Sequence, residues 1–321
     1  MLHPIAAAAF NDGFLDVKPA TGHPLDFWRE TLDRIPFGKI FSMEHRPEEL
    51  SGWPAGETTI WSATLPTPPF TPWPDGYGEV DSYYALLDDA RKKTTAWGQA
   101  VMDMGYEVIC DTRPRLPVRA IAIRAGLGIP GLFGPMITPL HGSFVHISTL
   151  LVRMAPPAGT RGPEHDQSAG CEKCGNCAEA CPTGAVTGSG VDQTKCLRYD
   201  INNPDNMPEE HYPLMERRLR GCDACQRSCP HNSGVAPIAP SAEMIAPFRL
   251  EELLAGPDVD AIAARITADH TEKARLRIQS VLAAANTGRA DLLPSIRKFA
   301  DEEDETLRRV SRWAIEKLSA G

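Results

Sequence analysis

Apolar side chains recur at helical intervals from Asp81 to Met104, where Tyr84, Leu87, Ala90, Trp97, Val101 and Met104 share one side of the pattern and Gly105 supplies a stop. The same period predicts helices over Asp26–Leu32, Leu116–Leu127, Glu251–Leu254, Glu272–Ala285, Asp291–Phe299 and Asp304–Leu318. Three other stretches are rich in β-branched and apolar residues and predict strands: Glu57–Leu65, Tyr106–Cys110 and Phe144–Val152. Pro66–Pro74 carries five prolines and predicts an extended loop that ends at the turn Asp75-Gly76. Its aromatics Phe70, Trp73 and Tyr77 either wall a pocket or pack the loop.

Strands alternating with helices between Thr58 and Arg153 predict an α/β or α+β domain. The helices after Pro230, joined by short polar links such as Asn286-Thr287-Gly288, predict one or two helical-repeat units. The fold class expected is α+β in three parts, residues 1–160, 161–245 and 246–321. A chain of 321 residues with 42% hydrophobic and 23% charged residues is globular, and its net charge of −9 argues against a generic nucleic-acid coat. The apolar run Ile5–Phe10 is too short for a secretory segment, and no stretch approaches the ~20 apolar residues of a membrane span. A cytoplasmic protein, monomeric and without a membrane partner, is expected.

Eight of the nine cysteines fall between Cys171 and Pro230. The first run is Cys171-x-x-Cys174-x-x-Cys177-x-x-x-Cys181-Pro182; the second is Cys222-x-x-Cys225-x-x-x-Cys229-Pro230, with Cys196 between them. Three thiolates at such short spacing wrap one cubane, while the fourth, followed by proline, points to a neighbouring one. Two 4Fe–4S clusters with crossed ligation follow: Cys171, Cys174, Cys177 and Cys229 on the first, Cys181, Cys196, Cys222 and Cys225 on the second. The second run is one thiolate short, and Cys196 is the nearby residue that restores four. Structural zinc takes four ligands and does not call for the longer run. Disulfides do not suit a chain long enough for its own core with nothing to mark it as secreted. Cys110, the ninth, is expected to be a small buried hydrophobe.

Gly126-x-Gly128-x-x-Gly131 sits at the end of a predicted helix and not between a strand and a helix start, so it is weak as a dinucleotide fingerprint. Lys273, Arg275, Arg277, Arg289, Arg297 and Lys298 form a basic band opposed within that stretch by Glu272 and Asp291. Phosphates would be its partner, or it is an ordinary solvated helix face balanced by the acids Asp301–Glu305.

Several of these stretches together resemble the epoxyqueuosine reductase family. They are Arg46-Pro47-Glu48-Glu49-Leu50, Asp111-Thr112-x-Pro114, Arg124-Ala125-Gly126-Leu127-Gly128, Gly142-Ser143-Phe144, Ala180-Cys181-Pro182-Thr183-Gly184-Ala185 and Gly221-Cys222-Asp223-Ala224-Cys225-Gln226. Asn286-x-Gly288 and Arg309-x-x-x-Trp313-Ala314 look like that family's HEAT-type repeat. The sequence departs from the family where Gly-Trp-Ile-Gly-Lys is replaced by Gly128-Ile129-Pro130-Gly131-Leu132, Gly-Glu by Ser148-Thr149 and Asp-Ser by Asp111-Thr112.

The resemblance implies a nitroreductase-like cobalamin-binding domain, a ferredoxin-like double-cluster domain and a HEAT-like terminus. It implies cobalamin held base-off without a histidine ligand, between Arg124, Gly126, Gly128 and Gly131 and the segment Gly142, Ser143 and Phe144. His141 and His146 lie near the implied corrin face. Beside an apolar corrin, Asp111 would have its pKa raised and would act as general acid; its other reading is the start of the turn before Pro114. The implied reaction is reduction of epoxyqueuosine in tRNA with electrons from an external low-potential donor. A corrinoid reductase acting on a small molecule, by removal of halide or an oxygen substituent, and an electron carrier or corrinoid activator stand as the other readings.

Overall fold

The computed structural model describes residues 2–23, 47–112, 115–166, 170–256, 259–266 and 273–320. The helix expected over Asp26–Leu32, the motif residue Arg46 and Pro114 lie outside them. The chain divides into two units: Met1–Thr67 with Asp89–Lys173, and Pro68–Asp88 with Cys174–Gly321.

The first unit is built on an antiparallel sheet of four strands, β1 (Asp16–Thr21), β2 (Thr58–Pro66), β3 (Val108–Cys110) and β4 (Val145–Arg153), in the order β1-β2-β4-β3. The central pair, β2 and β4, is buried along almost its whole length. That is why both read as continuous runs of apolar and β-branched residues instead of a strict alternation. Successive side chains still point to opposite faces. Trp61, Ala63, Leu65, Leu150 and Val152 meet the helices α1 (Pro4–Asn11) and α2 (Leu87–Asp103) in one core. Ile60, Val145 and Leu151 meet α3 (Val118–Ala125) in the other. Gly98 on α2 makes room for Cys110, since a Cβ there would stand 2.0 Å from the Cys110 Sγ.

The sequence pattern missed α1 and β1. It also ran one helix from Asp81 to Met104, where the structure has a short turn, Ser82–Ala85, then a break at Leu86 and α2. Asp81 caps the short turn by accepting the Tyr84 N–H at 3.1 Å. Its apolar residues Tyr84, Ala85 and Leu87 belong to the core of the second unit, so the division between units falls inside an unbroken hydrophobic period.

The second unit carries the cysteine block on short turns and then α4 (Leu197–Asn202), β5 (Arg218–Arg220), α5 (Lys273–Asn286) and α6 (Glu305–Ser319). β5 pairs in parallel with Glu79–Val80. Helix α5 packs against both β5 and α6. Phe70 and Trp73 of the proline-rich loop are buried against Phe248, with the Trp73 and Phe248 rings 5.6 Å apart, and Tyr77 holds Arg249 through a 3.0 Å hydrogen bond. The loop's aromatics therefore pack the unit. Among the described residues no helix is long and apolar enough to cross a membrane.

Candidate redox and proton-transfer sites

The cysteine block winds tightly through Lys173 and Gly175, both at positive φ, into the turn Asn176–Glu179 that buries Cys177. Cys181, Cys196, Cys222 and Cys225 lie within electrostatic reach of one another, and Cys177 within reach of Cys225. Burial pushes the Cys222 thiol up to about 11. Cys225 is raised further, first by burial and then by the charges that Cys222, Cys196, Cys181 and Cys177 would carry as thiolates. At Cys181 burial opposes ionisation, yet the N–H groups of Val186, Thr183 and Ala185 outweigh it and hold the thiol below its usual range.

Cys196, Cys222 and Cys225, which burial keeps from ionising alone, fit a cationic iron–sulfur core, which supplies the missing positive charge. Among the described residues no three His, Cys, Asp or Glu converge as one metal ion requires. A cubane differs in giving each thiolate its own iron. In the first unit, the Cys171 N–H donates to the Pro130 carbonyl at 3.1 Å and the Leu132 N–H donates to the Cys171 Sγ at 3.3 Å.

Asp111 follows β3 and is 4% exposed. Its N–H donates to the Thr149 carbonyl at 3.1 Å, while its carboxylate accepts N–H bonds from Arg115, at 3.1 Å on each oxygen, and from Leu116 at 3.2 Å. Burial raises its pKa, with those N–H groups and the Arg115 charge pulling the other way. The strand register puts Lys18 beside Ser62 and Ser62 beside Thr149, and the Asp111 bond continues that row, so four polar residues cross one sheet face. The hydroxyls of Ser62 and Thr149 are buried without a hydrogen-bond partner among the described residues. No motif marked Ser62; only the departure Ser148-Thr149 touched this row.

Other expected site residues have local tasks. Arg124 is fully buried, with Nε and Nη2 on the two Asp166 oxygens at 2.5 and 2.7 Å and Nη1 on the His23 carbonyl at 2.7 Å. That guanidinium is a tether and is not free for a ligand. Gly126 ends α3 at φ +80°, and its carbonyl accepts from Lys18 at 2.8 Å. A Cβ on Gly128 would meet the Ile137 carbonyl at 2.4 Å, and one on Gly131 the Pro135 carbonyl at 2.7 Å. These glycines let the hairpin of Ile129–Pro130 and Met136–Ile137 close on itself. The Gly142 carbonyl accepts the Thr138 N–H at 2.7 Å. Ser143 and Phe144 are each 3% exposed. Arg124 is thus taken up by Asp166, and Gly128 and Gly131 by the close approach of their own hairpin.

His146 shares its sheet face with Ser148, whose hydroxyl bonds Thr94 on α2, and so points away from the Asp111 face. Burial and the Arg91 charge lower its pKa to about 4. The His141 N–H is held by the Thr138 hydroxyl at 3.2 Å. In the basic band, Arg289 is paired with Glu251 and Asp291 at 2.6 Å each and Arg277 lies over the Phe299 ring, while Arg297 and Lys298 are exposed.

Fold and cysteines together define a mixed α+β protein with a double-cluster iron–sulfur segment, and residues 170–232 match the family described as a 4Fe-4S double cluster binding domain. The chain as a whole is similar to epoxyqueuosine reductases: 29% identical to that of Bacillus cereus over 245 residues, covering 74% of this chain and 63% of the relative. With that of Staphylococcus aureus it is 30% identical over 223 residues, 67% of this chain and 57% of the relative. The chain thus spans under two thirds of the length of these curated relatives. It shares its fold with the epoxyqueuosine reductase of Streptococcus thermophilus, with a TM-score of 0.80 at 20% identity over 99% of this chain and 90% of that one. An epoxyqueuosine reductase solved with an epoxyqueuosine-modified tRNA stem loop gives a TM-score of 0.77 at 21% identity, covering 98% and 89%.

Proposed function

We propose that the chain is a double-cluster iron–sulfur reductase of the epoxyqueuosine reductase type, acting on the modified base in tRNA. The observation that carries this reading is the gathering of Cys181, Cys196, Cys222 and Cys225, set in a fold shared almost end to end with enzymes of that name. In this reading Cys171, Cys174, Cys177 and Cys229 bind the first cluster and the other four the second. An external low-potential donor delivers electrons singly. Opening the epoxide to an alkene consumes two electrons and two protons, and its oxygen leaves as water.

Asp111 is the proton donor in this reading. Burial favours its protonated form, and the Arg115 and Leu116 N–H groups that its carboxyl accepts must release it before it delivers a proton. In the Bacillus subtilis enzyme a catalytic loop named for an aspartate is swung out of the active site, and in this reading Asp111 likewise parts from the Arg115 and Leu116 N–H groups. The resemblance also implies cobalamin. The side chains of Arg124, Ser143 and Phe144 are buried in the described structure.

The four-stranded sheet with its helices is read as the nitroreductase-like part, residues 161–245 as the ferredoxin-like part, and α5 with α6 as the HEAT-like part. The protein is read as a cytoplasmic monomer. Phosphate contact falls to Arg297 and Lys298 in place of the whole basic band. The test is anaerobic turnover of epoxyqueuosine-containing tRNA by the reconstituted chain, with and without added cobalamin. Formation of queuosine supports the reading; a fully iron-loaded chain inert under both conditions overturns it.

A further inference from the structure

The ring of Tyr84 carries two guanidinium groups, with the Arg198 Cζ 5.2 Å and the Arg220 Cζ 4.4 Å from its centroid. Arg198 Nε also donates to the Tyr84 hydroxyl at 2.9 Å. Arg220 is 3% exposed and donates from Nη1 to Asn202 at 2.5 Å, but its Nε and Nη2 have no hydrogen-bond partner among the described residues. Two like charges on one ring repel, and the Arg275 charge acts on Arg220 as well.

The carboxylate whose charge both arginines feel is Asp81. One of its oxygens is spent on the Tyr84 N–H, and its own N–H donates to the Arg220 carbonyl at 2.9 Å. Gly221 stands at φ +81°, and a Cβ there would meet the Asp81 Oδ2 at 1.8 Å, so only glycine permits this approach. Asp223 is already paired with Arg227 at 2.8 Å. The group therefore holds more positive than negative charge. Arg198 lies two residues after Cys196, whose thiolate its charge favours, and Arg220 two residues before Cys222.

A cubane with four thiolates is an anion in either oxidation state and becomes more negative on reduction. Nearby fixed positive charge therefore stabilises the reduced form and raises the midpoint potential. We propose that Arg198 and Arg220, clamped on Tyr84, make the second cluster the one on which a single electron first rests. This rests on the cluster assignment above. The step is one-electron: the external donor loses one electron, the oxidised cluster gains it, and no bond or proton moves.

The test is an anaerobic redox titration of the reconstituted full chain followed by electron paramagnetic resonance. Cys196→Ala identifies which signal belongs to the second cluster. Arg198→Gln is expected to lower that cluster's midpoint alone, changing the partition of one electron between the clusters by about tenfold, which is about 59 mV. Arg198→Lys should restore most of the shift. Arg220→Gln should act in the same direction; because this side chain is buried, its iron content and melting are measured first, and the exposed Arg198 carries the decision. Unchanged midpoints, or equal shifts of both clusters, in an Arg198→Gln protein with full iron overturn the proposal and leave the cluster assignment standing. Full iron in Cys196→Ala overturns the assignment itself.

Discussion

Both carboxylate oxygens of Asp111 accept the backbone N–H of Arg115, so the side chain offered as a proton donor also fastens the backbone four residues on. Asp111→Asn should keep both clusters and lose most turnover, by about 10²–10⁴-fold if the group is a general acid. Iron content and single-turnover rates of the same preparation check this, and undiminished turnover removes the mechanism.

The same carboxyl gives a stability signature. Its pKa is raised in the folded state, so the folded chain holds the proton more tightly than the unfolded one. Stability is greatest below the unfolded pKa and is lost as pH rises through the folded one. Asn does not titrate. The difference in melting temperature between Asp111→Asn and the parent should therefore move in favour of the variant as pH rises through that window.

His146 gives the opposite slope. Its folded pKa is lowered from 6.5 to about 4, so the unfolded chain binds the proton first. Stability falls as pH drops through that window, by roughly 3 kcal/mol at most. His146→Gln should flatten this part of the denaturation-versus-pH curve, and an unchanged slope would show that other groups set it.

Ser62 and Thr149 face each other with two buried hydroxyls that bond nothing among the described residues. Replacing an unpartnered buried hydroxyl by an apolar group of like shape is close to neutral or stabilising. Thr149→Val should thus hold or raise the denaturation midpoint. A loss of about 1 kcal/mol or more would show that an ordered water bridges the pair.

Arg124→Ala leaves Asp166 beside a void with its charge unpaired and should cost about 3–5 kcal/mol. Arg124→Ala with Asp166→Ala should cost less than the two single changes summed, measured by a double-mutant cycle in denaturant.

The central strands were legible as continuous apolar and β-branched runs, and the terminal helices because their apolar period is long. β1 was not: Asp16–Thr21 carries Pro19 and lies at the edge of the sheet, where a missing N–H is tolerated and the pattern is weak. The cysteines spoke through their spacing alone. The glycines did not distinguish a ligand cradle from a closing hairpin, because both need the same missing Cβ. Arg124 read as a binding residue since nothing local showed that Asp166, 42 positions on, would take its guanidinium. Asp111 was singled out by the resemblance and by its place at a strand end, whereas the Ser62–Thr149 pair exists only through strand register.

Residues Pro68–Asp88 belong to the second unit, yet the chain returns to the first from Asp89 to Lys173 before the rest of the second follows. During synthesis this segment leaves the ribosome early, with Phe70, Trp73 and Tyr84 made long before Tyr212, Phe248 and Leu282, the residues they share a core with. The residues assigned to the first unit end at Lys173, while the second unit draws on residues as far as α6. The core that buries these aromatics therefore closes only once Leu307, Val310 and Ala314 of α6, which share it, have been made, and until then the early segment lacks its partners.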